Sequence, residues 1–326
     1  MNLRVAIDEC ETIAKLKKRL AKQRYHFIGN LAAVKACRWL HESLVNGKVC
    51  YKQKFYGISS HRCVQLSPSP FHCTQRCVFC WRMQPSDVGV DWNELQPRTP
   101  DDPERIAVAA IEEQRRLVSG YKGNPMVPRR RYEEACDPRH VAISLAGEPT
   151  LYPHLGSLID CFRQRGVTSF LVTNGTKPDA LTSLEVEPTQ LYVTVAAPSE
   201  EVYRRVCDPL IQDGWKSLET TLEVLSTFSC PTVIRLTLVK GLNMMMPEEY
   251  SKLILSSEVT YVEAKAYMHV GYSTRRLGFK GMPSHREITS FAAELSRLTS
   301  YNLIDQQMES RVALLSKLEK PKKLNL

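Results

Sequence analysis

Cys73-Thr74-Gln75-Arg76-Cys77-Val78-Phe79-Cys80 sets three thiols with three and then two residues between them, followed directly by Trp81. A [4Fe–4S] cube has four irons and is ordinarily held by four thiolates. A compact run of three leaves one iron without a protein ligand, and that corner can take a small molecule. Binding S-adenosylmethionine (SAM) there and cleaving it opens radical chemistry. The competing reading is structural zinc, which takes four ligands, as two cysteine pairs or one pair with two histidines. His72 stands beside Cys73, so a mixed site can be drawn, yet directly adjacent residues ligate one ion awkwardly. The spacing favours the iron–sulfur cluster.

Outward from this run the chain alternates strands and helices. Cys63–Leu66 reads as a strand, ended by Pro68 and Pro70 just before the cysteines. Short runs rich in Val, Ile, Leu, Tyr or Thr follow at His140–Ala146, Ser169–Thr173, Gln190–Ala196, Thr232–Val239 and Tyr261–His269. Helical stretches lie between them at Pro103–Val118, Pro153–Arg165, Ser199–Val206, Trp215–Phe228 and Pro247–Ser257. Ser284–Leu298 adds another, with Ser284 and Glu287 spaced as a capping box. Repeated βα units imply a parallel sheet. Six of them make an α/β fold, an open, partial (β/α)6 TIM-like barrel, whose chemistry belongs on the loops at the strand C-termini.

Upstream, 10–24 and Leu31–Val45 read as helices and Val49–Ile58 as β-rich. The expected division is an N-terminal extension at 1–60, the barrel at 61–300, and a helical, basic tail at 301–326, frayed over Lys317–Leu326.

Three further sets of residues carry chemistry. Gly147-Glu148-Pro149 follows the second barrel strand; glycine permits close backbone approach and the carboxylate can take an ammonium. One βα unit after the cysteine run, this looks like the segment of radical SAM enzymes that binds the SAM amino group. Thr173-Asn174-Gly175 ends the next strand and offers small polar groups at the same end, although Asn-Gly is also an ordinary turn. Cys37, Cys50 and Cys63 precede the run with twelve residues between successive members. A lone cysteine is usually a small buried hydrophobe. Three together, just upstream of a cluster run, point to a second three-thiolate cluster with an open iron for a keto acid. Cys10, Cys136, Cys161, Cys207 and Cys230 read as structural. Glu263, Lys265 and His269 alternate on the last strand and share a face, turned toward the ligand or engaged in a buried salt bridge.

Composition bounds the partners. The 326 residues are 43% apolar, carry a net charge of +9 and have a pI near 9.0. A core is affordable, and an anionic partner such as nucleic acid is favoured. Arg129-Arg130-Arg131 in a loop, Arg204-Arg205, Arg275, Arg276 and Lys280 are candidate phosphate contacts. No apolar run spans a membrane and no signal segment opens the chain. Eleven cysteines suit metal ligation in a reducing cytoplasm better than disulfides.

Taken in order, Cys37, Cys50, Cys63, Cys73, Cys77 and Cys80, with Val49-Cys50-Tyr51-Lys52-Gln53-Lys54-Phe55-Tyr56-Gly57-Ile58 between, resemble the archaeal 4-demethylwyosine synthases, radical SAM enzymes of wybutosine biosynthesis. Gly147-Glu148 and Thr173-Asn174-Gly175 support the resemblance, which covers nearly the whole chain. It implies a lyase with two [4Fe–4S] clusters and SAM. The substrates would be pyruvate and N1-methylguanosine beside the anticodon of tRNA for phenylalanine. A 5′-deoxyadenosyl radical made at the Cys73, Cys77, Cys80 cluster would take hydrogen from the N1-methyl group. The methylene radical would then add to pyruvate at the Cys37, Cys50, Cys63 cluster, and the pyruvate carboxyl carbon would be lost. Lys52 would form a Schiff base with the keto group, or else be an ordinary lysine like Lys54. An outside electron donor, unidentified, and a monomer are expected. The alternatives are another two-cluster radical SAM enzyme acting on RNA, or a zinc-bound, non-catalytic RNA-binding protein.

Overall fold

In a computed structural model, residues 2–91 and 99–324 are described, with side chains from residue 12 onward. In chain order the elements are α1 (Asn2–Ala21), β1 (His26–Phe27), β2 (Ala33–Val34), α2 (Arg38–Val45), α3 (Tyr51–Tyr56), β3 (Cys63–Ser67), α4 (Pro103–Ser119), α5 (Arg129–Ala135), β4 (His140–Ile143), α6 (Leu155–Gln164), β5 (Thr168–Thr173), α7 (Pro178–Thr182), β6 (Gln190–Thr194), α8 (Glu200–Cys207), α9 (Gly214–Val224), β7 (Thr232–Leu238), α10 (Pro247–Ser257), β8 (Tyr261–Ala266), α11 (His285–Leu298), β9 (Asn302–Gln307) and β10 (Val312–Ser316).

The strands form one sheet in the order β1-β2-β3-β4-β5-β6-β7-β8-β10-β9. The six from β3 to β8 are parallel neighbours, which is the partial (β/α)6 barrel the pattern implies. Antiparallel pairs extend it at both ends, β1 and β2 beside β3 and β10 and β9 beside β8. Period-two alternation sorts each strand. Leu171, Leu191, Val193, Ile234, Leu236, Val262 and Ala264 face the helices in the main core. Phe170, Tyr192, Val233 and Tyr261 face inward and meet Tyr51, Phe55 and Tyr56 of α3. Thus α3 fills the concave side of the arc. The Ser284 capping box that opens α11 is present, with both reciprocal hydrogen bonds made.

Four expectations are corrected. Val49–Ile58 holds a helix, α3, rather than a strand. Its apolar residues Tyr51, Phe55 and Tyr56 are spaced for one helical face, and Gly57 ends it with φ +83°. Leu31–Val45 is helical from Arg38 only, because Ala33–Val34 pairs with β1 and β3. Arg129–Arg131 begins α5 rather than lying in a loop. Residues 301–316 form the β9–β10 hairpin in place of a helix, and the tail is docked through Leu324, whose N–H donates to the Tyr56 carbonyl at 2.9 Å.

Candidate active site

The loop that leaves β3 carries Cys73, Cys77 and Cys80 at the C-terminal mouth of the arc. Their charges act on one another, and burial pushes the Cys73 thiol up to about 12. The Cys77 thiol is raised by a contact with Cys207, a residue read as structural, and then by burial. A thiolate forms in such a place when a cation pairs with it. Among the described residues no group of His, Cys, Asp or Glu closes around a single metal ion. A cube takes each thiolate at a separate iron and holds them farther apart than one zinc does. The donor set, three thiols on one loop, suits the cluster. Gly147 and Glu148 press on the same loop. The Glu148 N–H donates to the His72 carbonyl at 2.7 Å, and Gly147, at φ +69°, leaves a Cβ no room, 1.9 Å from the Ser69 carbonyl oxygen.

Glu148 is 2% exposed. Its Oε1 accepts from the Thr173 hydroxyl at 2.6 Å and the Thr150 hydroxyl at 2.7 Å, and its Oε2 from the Asn174 N–H at 2.8 Å. Burial raises its pKa and these donors lower it. The Asn174 amide reaches the Thr74 hydroxyl at 2.9 Å and the Cys73 sulfur at 3.8 Å. Gly175 turns the chain at φ +74°. Thus Gly147, Glu148, Thr173, Asn174 and Gly175 sit beside the cysteine run.

The upstream cysteines also converge. Cys37 caps α2, Cys50 caps α3, and Cys63 opens β3. The Cys50 sulfur accepts from the Lys52 N–H at 3.3 Å. Burial pushes the Cys37 thiol up to about 11 and raises those of Cys50 and Cys63; each of the three feels the charge of Lys52. Lys52 itself is 9% exposed. Its Nζ lies 4.3 Å over the Tyr192 ring and 4.4 Å over the Phe170 ring. Burial, then Arg235, push its pKa down to about 8.

Sequence reading named Glu263 and Lys265 but missed Arg235 beside that amine. Arg235 stacks on the Tyr192 ring at 4.5 Å and donates to Glu263 at 3.0 Å and to the Tyr51 hydroxyl at 2.7 Å. The Tyr56 hydroxyl donates to Glu263 at 3.0 Å. Glu263 is therefore the carboxylate of a buried salt bridge. Lys265, its pKa pushed down to about 8 by burial, donates to the Ser310 carbonyl at 2.8 Å, while His269 lies beyond β8 against Tyr267. An Arg on a strand, two residues from Thr237 and Val233, carries no local mark of the partner it meets on β8.

Of the candidate phosphate contacts, Arg129, Arg130 and Arg204 pair with glutamates on their own helices. Arg131 and Arg205 donate to backbone carbonyls. Arg276 is an inward structural residue, salt-bridged to Asp87 at 2.6 Å. Arg275 and Lys280 are exposed. The side chain of Cys10 lies outside the described residues.

A parallel six-strand arc with a three-cysteine loop after its first strand defines a radical SAM protein. The Radical SAM superfamily model matches residues 68–254, and the chain is a radical SAM enzyme. A second model, Wyosine base formation, matches 256–317. The chain belongs to the S-adenosyl-L-methionine-dependent tRNA 4-demethylwyosine synthases. It is 49% identical to that enzyme of Pyrococcus abyssi over 90% of this chain and 86% of the relative. To that of Methanocaldococcus jannaschii it is 41% identical over 92% and 95%. The human relative is 37% identical, and the match spans 38% of its length. A solved structure of TYW1 with a lysine–pyruvate adduct bound superposes with a TM-score of 0.84 at 39% identity, covering 94% of this chain and 98% of that one.

Proposed function

We propose that this chain is a lyase that builds 4-demethylwyosine from N1-methylguanosine, beside the anticodon of tRNA for phenylalanine, and two carbons of pyruvate. The carrying observation is Lys52, a buried amine between two aromatic rings beside Cys37, Cys50 and Cys63. The adduct in the solved relative supports the reading.

In this reading Cys73, Cys77 and Cys80 hold one [4Fe–4S] cluster, and Cys37, Cys50 and Cys63 a second. When bound, the first cluster with SAM supplies the one-electron chemistry that activates the N1-methyl group, using an electron from an outside donor. The chain's residues do the rest. Glu148 keeps acceptor capacity on Oε2 for an ammonium, since an ionised oxygen accepts more than the one bond it takes from the Asn174 N–H. Thr173, Asn174 and Gly175 brace that carboxylate against the cysteine loop. The free amine of Lys52 attacks the keto carbon of pyruvate, the carbinolamine takes up a proton and loses water, and the substrate is held as a protonated iminium. Lys52, Lys265 and Arg235 set three cations against the single carboxylate of Glu263, a field suited to the pyruvate carboxylate. Along β5, Phe170 beneath Lys52 and Thr173 at the mouth are three residues apart, roughly 10 Å. This puts the trapped carbons within reach of a nucleotide entering between the two sites. A monomer in the cytoplasm is proposed with it; among the described residues no helix is long and apolar enough to cross a membrane.

Anaerobic reconstitution tests the ligand sets. About eight irons are expected, falling to about four in either Cys37→Ala or Cys73→Ala. An unchanged iron content in Cys37→Ala refutes the second set. Conversion of N1-methylguanosine-containing tRNA with labelled pyruvate tests the reaction, and failure to incorporate label refutes it.

A further inference from the structure

The loop after β8, residues 267–283, is fastened to the cysteine loop. The Tyr272 N–H donates to the Trp81 carbonyl at 2.9 Å. The Arg276 guanidinium donates to the carbonyls of Val78, at 3.4 Å, and of Cys80, and to the Asp87 carboxylate at 2.6 Å. Gly271 is packed so closely that a Cβ would lie 2.4 Å from the Trp81 carbonyl oxygen. This loop is thus part of the rim beside the radical-generating site.

Phe279 rides on that rim and is 67% exposed. Its ring meets the His269 ring edge-on, 5.7 Å between centroids at 89°. His269 shares a 2.9 Å hydrogen bond with the hydroxyl of Tyr267, the first residue after β8. The phenyl ring is therefore oriented from below and open above. Exposed Lys280 adjoins it, and exposed Arg275 lies over the Tyr272 ring at 4.4 Å. An exposed aromatic face with one cation next to it in the chain and another on the same loop matches what single-stranded RNA needs: a π surface for a base and positive charge for the backbone.

We propose that Phe279 is the stacking platform for an unpaired base of the RNA substrate, with Arg275 and Lys280 taking adjoining phosphates. This rests on the tRNA reading above and adds the rim contact that holds the loop of the RNA open over the site. Phe279 does not touch the reacting atoms, so it acts on RNA affinity and not on the chemistry at Lys52.

The test uses the reconstituted holoenzyme and a fluorescent anticodon stem-loop RNA carrying N1-methylguanosine, followed by anisotropy. Phe279→Ala should weaken binding about tenfold or more, and Phe279→Trp should restore it. The slope of log affinity against log salt should stay the same in Phe279→Ala and shrink by about one in Lys280→Ala. Borohydride trapping of pyruvate on Lys52 should be equal in all variants. Wild-type affinity in Phe279→Ala overturns this inference alone and leaves the surface to another class of partner. Loss of Lys52 trapping in Phe279→Ala also overturns it, by showing a structural role. Failure of the wild type to bind the stem-loop overturns the tRNA reading, and this inference with it.

Discussion

Gly147→Ala puts the contact between the β4 loop and the cysteine loop under direct test. The added Cβ would stand 1.9 Å from the Ser69 carbonyl oxygen and 2.6 Å from that of His72. Ordinary contact of about 3.4 Å requires the two segments to part by roughly 1.5 Å. That separation breaks the 2.7 Å hydrogen bond from the Glu148 N–H to the His72 carbonyl. The unmade buried bond costs about 1–3 kcal/mol, and φ +69° adds about 1–2 kcal/mol for a residue with a Cβ. The stability loss of about 2–5 kcal/mol is less informative than its location. The displaced segment leads directly into Cys73, and misplacement by about 1 Å near reacting groups costs on the order of a hundredfold in rate. The assay is reductive release of 5′-deoxyadenosine from SAM, expected to fall about a hundredfold, with the Tm lowered. Borohydride trapping of pyruvate on Lys52 should survive in the same variant, because Phe170 and Tyr192 lie on the inner face of other strands. Near-wild-type release would refute the close-packing argument, and loss of trapping would refute the separation of the two sites.

Three other outcomes follow from buried charge. Lys52, pushed down to about 8 by burial and then Arg235, is a charged amine below that pH and a free nucleophile above it. The rate of trapping with pyruvate should therefore rise to about pH 8 and level off; a rise continuing past pH 10 refutes this, and Lys52→Ala should give no adduct. His140 accepts from the Ser59 N–H through Nε2 at 3.0 Å and is held neutral, its pKa lowered to about 4 by burial and then Arg62. The unfolded chain binds a proton there below about 6.5, whereas the folded chain waits until about 4, so stability falls as pH drops through that window. The loss approaches about 3 kcal/mol, read from urea unfolding at pH 4 to 7, and a His140→Gln variant should lose that part of the pH dependence. Glu263→Ala removes the buried carboxylate of Arg235, and about 3–5 kcal/mol of stability should go with it; urea unfolding with an unchanged midpoint would show that the pair is dispensable.

The βα rhythm from Cys63 onward was legible because each parallel strand is buried on both faces and reads as a short apolar run. The capping box at Ser284 was legible because its two partners lie three residues apart. Stretch 49–58 was misread because Val, Tyr and Phe favour strands when packing is ignored, and a six-residue helix shows fewer than two turns of its period. Its helical spacing and Gly57 were the available signals. The hairpin at 301–316 was hidden for a related reason: its strands owe their conformation to β8, a partner roughly fifty residues away. Arg276 read as a surface cation, since nothing adjacent in the chain announces the carbonyls of Val78 and Cys80.

By itself the sequence marked the run of three thiols that leads to the radical SAM family, since thiol spacing is local. It also determined the order of the barrel units. The tertiary structure alone decided what surrounds Lys52. Phe170, Tyr192, Arg235 and Glu263 come from four strands, and closing the arc brings them onto α3. Burial there strips water from an ordinary lysine and lowers its pKa, a change that depends on where the chain folds and leaves no trace in the letters beside it.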